Sequence, residues 1–158
     1  MKKPDPLRAQ LVKLFSSGEA HVDFDRAVKG IPSKLLGVRP KGLPYSLWQL
    51  LEHIRLAQRD ILDFCRNPKY RAPKWPEDYW PAKPAPPNAR AWGTSVATFR
   101  SDRRALARMI TRPSLDLYAR IPHGDGQTYL REVLLAADHT AFHLGEIVAV
   151  RRLLGAWK

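Results

Sequence analysis

Two histidines, His139 and His143, stand four residues apart near the end of the chain, and a third, His53, lies far upstream. Imidazole is the commonest side-chain metal ligand. On a helix, an i, i+4 pair turns both rings to one side, with β-carbons roughly 5–6 Å apart. Three such rings meeting inside a helical bundle would hold a divalent metal and leave coordination positions free. Neutral ligands keep the full charge on the ion, making it a Lewis acid that can lower the pKa of water or a thiol. Two better-known patterns are absent. Thr140 follows His139 where a zincin carries its glutamate, and no Glu stands three residues before any histidine, as in di-iron bundles. A mononuclear three-histidine site is what the spacing supports.

Around that core, a buried imidazole needs partners for both nitrogens. If metal takes one, an acceptor must hold the other. Glu146, one turn past His143, and Asp138 are candidates. Asp60 shares the stripe of His53. Glu146 and Asp60 are also the candidates for a catalytic base, on stripe position alone. His21 and His123 read as structural or surface residues, with the His123 loop near the expected mouth of the site.

The elements that must position these residues are helical. A first amphipathic segment runs from about Leu7 to Val28, with Gly18 as a point where it bends or splits. Gly30, Pro32 and Pro40 mark a loop. A second helix opens at Ser46, an N-cap with Gln49 three residues on, and ends at Asn67-Pro68. It carries His53 beside an apolar stripe of Leu47, Leu50, Leu51, Ile54, Ala57, Ile61 and Phe64. Lys69 to Trp92 is a crossover. Seven of the chain's 14 prolines fall between Pro68 and Pro87, interleaved with Trp75, Tyr79 and Trp80. Prolines exclude helix and central strand there, while large aromatics argue for an ordered loop draped over the bundle. A third helix spans about Ser95 to Thr111. A loop follows, with an extended piece near Tyr118–Ile121. The fourth helix runs from its Thr128 cap to Leu154, with Gly155 as its stop. It carries His139 and His143 and is apolar most of the way round, hence central.

Four helices without sustained alternation make an all-α four-helix bundle, a single domain over residues 1–158. The long connection between the second and third helices permits parallel neighbours. Hydrophobic residues make up 44% of the 158, enough for a sizeable core. The lone Cys65 fits a reducing cytoplasm and reads as a buried, inert thiol. The start, Met1-Lys2-Lys3-Pro4-Asp5-Pro6, leads into no apolar leader, and the apolar runs are short for a bilayer, so a soluble cytoplasmic protein is expected. The net charge of +12 raises the prospect of nucleic acid or another polyanion. Its even spread along the chain argues against that partner and for solvated helix faces. A non-catalytic basic binding module is the alternative reading.

Ser46-Leu47-Trp48-Gln49-Leu50-Leu51-Glu52-His53-Ile54, followed far downstream by Asp138-His139-Thr140-Ala141-Phe142-His143-Leu144-Gly145-Glu146-Ile147, resembles the DinB-like (damage-inducible, YfiT-related) superfamily. The resemblance covers nearly the whole chain in segment order. It implies a four-helix bundle of up-down-down-up course and a metal triad at His53, His139 and His143. It also implies a metal-dependent hydrolase or a transferase acting with low-molecular-weight thiols. Zinc, nickel or iron would suit the site. Glu146 is a departure, since relatives often carry Gln there. The family name refers to DNA damage and implies no DNA binding. Homodimerisation through an apolar helix face is also expected of such a bundle.

Overall fold

The computed structural model describes residues 5–16 and 19–157, so Gly18 and the stretch from Met1 to Pro4 lie outside the described residues. Five α-helices follow in order: α1 (Pro6–Ser16), α2 (Phe24–Val28), α3 (Leu47–Arg66), α4 (Ala91–Thr111) and α5 (Tyr129–Leu153). A short 3₁₀ turn, Ser33–Leu35, lies between α2 and α3. The first expected segment is therefore two helices. Asp23 explains the second start, because its side chain accepts the Arg26 amide at 2.7 Å and caps α2. Helix α4 begins at Ala91, ahead of the expected Ser95 and taking in Trp92. There Asn88 Oδ1 accepts the Arg90 and Ala91 amides, both at 3.0 Å. The extended piece near Tyr118–Ile121 is one antiparallel bridge, Arg120 to Thr128.

Helix α3 begins where the capping box predicts. Ser46 Oγ accepts the Gln49 amide, and Gln49 Oε1 accepts the Ser46 amide. It packs against both α4 and α5 and is the hub of the molecule. Two apolar layers fill the bundle. One takes Leu47, Leu50, Leu51 and Ile54 of α3, Val96 and Phe99 of α4, and Leu144, Ile147 and Val150 of α5. The other takes Ile61, Leu62 and Cys65, then Leu106, Met109 and Ile110, then Val133, Ala136 and Ala137. Each layer joins matching halves of α3 and α4 to the opposite half of α5. Leu47, Leu51 and Ile54 are wholly buried. Each such side chain contributes about 1.5–3 kcal/mol of apolar transfer.

Helix α5 is long and apolar enough, by length and composition, to cross a bilayer, which the short apolar runs did not suggest. In this fold one side of it is core, but Leu134, Phe142 and Leu153 are exposed. It is therefore covered on one side only, not enclosed. At its end Gly155 takes φ +67°, and the Ala156 amide donates to the Arg151 carbonyl at 2.8 Å, as a glycine stop requires.

The crossover, residues 67–90, lies against α3. Gln49 Nε2 donates to the Pro81 carbonyl at 3.1 Å, and Ser46 Oγ donates to Pro84. Gly37 meets Ala85 so closely that a β-carbon there would fall 2.6 Å from the Ala85 methyl. Of its aromatics, Tyr79 and Trp80 are half-buried but Trp75 is 68% exposed, so not all of these rings bury.

A candidate metal centre

His53, His139 and His143 converge. One ligand-capable atom from each lies within 4.8 Å of the others. Helix α3 supplies His53 from the turn between Leu50 and Ile54, so its backbone is fixed by core side chains on either side. Helix α5 supplies the other two rings from one face, between its Ala136–Ala137 and Leu144 contacts. The three ring centroids are 4.5–4.7 Å apart and meet edge to face. His53 is 2% exposed and His143 8%, while His139 is half-buried and forms the open side.

Hydrogen bonds outside the cluster orient two of the rings. His53 Nδ1 is 3.0 Å from the Tyr79 carbonyl oxygen, which can only accept. Nδ1 therefore carries the proton, and the Nε2 lone pair faces the cluster. His143 Nδ1 is 2.6 Å from Glu146 Oε2, which holds that ring in the same sense. Inside, His139 Nε2 and His53 Nε2 stand 3.0 Å apart. Two lone pairs so close repel, so either His139 donates a proton across or a cation lies between them. Burial pushes the His53 and His139 imidazoles down to about 4, with the neighbouring His143 adding to it. Both are thus neutral near pH 7, the form that ligates metal.

The crossover supplies further contacts. Trp80 stacks flat on His53, with centroids 3.7 Å apart and planes 8° apart, and Tyr45 stacks on Trp80 at 4.0 Å. Trp75 stands edge-on to His53 at 6.3 Å. In the sequence these tryptophans mark an ordered loop over the bundle, one able to wall a pocket, without tying either ring to His53. Their position in a proline-rich loop beside the His53 helix was the available signal.

The carboxylate candidates fall in different places. Glu146 is against His143. Asp138 is on the exposed side of α5. Asp60 receives the hydroxyls of Tyr70 at 2.5 Å and Tyr79 at 2.6 Å, one on each oxygen. His123 lies apart, its Nε2 on the Phe64 carbonyl at 2.8 Å, and His21 Nδ1 meets the Val22 carbonyl. The Cys65 thiol is buried and pushed up to about 12 by burial and by Glu132, which makes it inert at neutral pH.

The donor set fits a divalent cation: three converging imidazoles, with the outer nitrogens of His53 and His143 tied to a carbonyl and a carboxylate. Compared with known proteins, residues 19–147 match the family model described as the DinB superfamily. No curated protein and no solved structure matches the chain.

Proposed function

The chain belongs to the DinB superfamily, and from that premise we propose that it is a divalent-metal-dependent enzyme of hydrolase or thiol-transferase type. The observation that carries this reading is the inward convergence of His53, His139 and His143, with the outer nitrogens of His53 and His143 occupied. Zinc, nickel or iron suits three imidazoles. The bound ion supplies Lewis acidity, lowering the pKa of a water or thiol that reaches it.

The chain's own residues do the rest. His53 and His143 are held by partners behind them, so they need no reorganisation on loading. Glu146 acts on the site through His143, whose ring it orients. Asp60 has both oxygens engaged by tyrosine hydroxyls and is poorly placed to take a substrate proton. Trp80 keeps water from one face of His53. The approach is bordered by exposed Trp75, beside His53, and exposed Phe142, beside His143, and favours a small substrate with an apolar part. A low-molecular-weight thiol attacking an electrophile fits that opening. A cytoplasmic location, with Cys65 reduced, and a homodimer complete the reading.

The test is to load metal-free protein with Zn²⁺, Ni²⁺ or Fe²⁺ and assay small thiols with an electrophilic acceptor, alongside ester hydrolysis. Turnover with one ion that disappears in His139→Ala supports the proposal. Equal turnover in His139→Ala, or none with any ion, counts against it.

A further inference from the structure

Asp60 lies on α3 about two helical turns past His53. Its carboxylate is taken up by two tyrosine hydroxyls from the crossover, Tyr70 at 2.5 Å and Tyr79 at 2.6 Å. Hydrogen bonds to an ionised carboxylate are short and about twice as strong as neutral ones. A half-buried acid spent on two phenols needs a reason, and Tyr79 suggests one. Its ring tip is held by Asp60, while its backbone carbonyl is held by His53 Nδ1 at 3.0 Å. The same helix therefore grips one crossover residue at both ends. Trp80, the next residue, lies flat on the His53 ring. If Tyr79 withdrew, His53 would lose both the acceptor that fixes its tautomer and the ring that fixes its plane.

We propose that Asp60 is a positioning residue for the histidine cluster: by holding the Tyr79 hydroxyl it keeps the Tyr79 carbonyl on His53 Nδ1, and so keeps His53 Nε2 turned toward the metal position. This rests on the metal reading above. Tyr70 supplies an internal control. It shares the carboxylate, and its ring packs on Phe64 rather than on a site histidine. Its loss loosens the loop without releasing the carbonyl.

The experiment uses the full chain with Asp60→Ala, Asp60→Asn, Tyr79→Phe and Tyr70→Phe. Co²⁺ and Zn²⁺ affinities are measured by chelator competition, with the visible spectrum of the Co²⁺ form and the thermal midpoint of each variant. In parallel, ¹⁵N NMR of the metal-free protein reads the His53 tautomer. Asp60→Ala and Tyr79→Phe are expected to weaken metal binding by about 10–100-fold, the usual cost of losing an outer partner of a ligand. They also alter the Co²⁺ spectrum and mix the His53 tautomers. Asp60→Asn keeps an acceptor oxygen and falls between them and wild type. Tyr70→Phe keeps near-wild-type affinity, even where its midpoint drops.

Unchanged affinity and tautomer in Asp60→Ala, with only a lower midpoint, overturns the proposal and leaves Asp60 a staple of the loop. So does an equal loss in Tyr70→Phe and Tyr79→Phe, which would mean general loosening. A wild-type chain that takes up neither ion overturns the metal reading itself. The tautomer measurement needs no metal and tells the two failures apart.

Discussion

Glu146 and His143 form the contact most directly open to a single substitution. The carboxylate accepts the Nδ1 proton at 2.6 Å, which orients the ring and leaves its other nitrogen free for a metal. Glu146→Gln keeps an acceptor oxygen but removes the charge. It should weaken Zn²⁺ binding by about tenfold, and Glu146→Ala by more, within the 10–100-fold range of such losses. Chelator competition measures both. Acid sensitivity is argued at this scale too. The folded chain holds His53 and His139 at about 4, whereas an unfolded histidine titrates near 6.5. The unfolded chain therefore takes up protons first as pH falls. The histidines' share of metal-free stability is expected to decline from about pH 6.5 and to be fully lost below about pH 4. Urea midpoints at pH 7.5 and 5 should show the drop, and a His53→Gln, His139→Gln double variant should flatten it. The three histidines were legible in the sequence because type and spacing carry their chemistry. The carbonyl of Tyr79 and the face of Trp80 were not, since a contact across the crossover leaves no periodic trace.

At the scale of elements, the sequence marks helices wherever a cap and an apolar stripe coincide. Ser46 and Gln49 start α3 as expected, and Thr128, accepting the Arg131 amide at 3.2 Å, starts α5. Where a lone side chain opens a short or mixed segment, the start was placed less closely. The first segment was expected to bend or split at Gly18, and Asp23 caps α2 beyond it, while Asn88 accepts the first amides of α4 ahead of the expected Ser95. The fourth predicted helix was read as central because it is apolar nearly all round. In the fold its outer side is bare, and pattern alone cannot say how many neighbours a helix has. Ser46 joins cap and crossover, since its hydroxyl serves both Gln49 and Pro84. Ser46→Ala should cost about 1 kcal/mol as a lost cap. Loss of the Pro84 contact adds to that, and thermal denaturation of the metal-free chain reads the sum. A midpoint equal to wild type would show that this end of α3 is held by other contacts.

Across the whole molecule, the net charge is +12, and several of the 27 Lys and Arg side chains have local structural partners. Arg55 pairs with Glu52, Arg59 and Arg66 with Asp63, and Arg100 and Arg103 with Asp25. Arg8 donates to the carbonyls of Ile110, Arg112 and Leu115. Arg151, buried, donates to Ala27 and Ala156 and lies over the Trp157 ring. These arginines brace helix ends and loops, which is why charge alone is a poor guide here. DNA or RNA titration at two salt concentrations should give weak, unspecific binding; tight, steeply salt-dependent binding would revive the basic-module reading. The three imidazoles act as one site, and elemental analysis of the purified chain beside His53→Ala, His139→Ala and His143→Ala tests that most directly. One equivalent of a divalent transition metal per wild-type chain, lost in each variant while helix content persists, is the predicted result. Wild-type protein that carries no metal and takes up none on addition of Zn²⁺, Ni²⁺ or Fe²⁺ would contradict it.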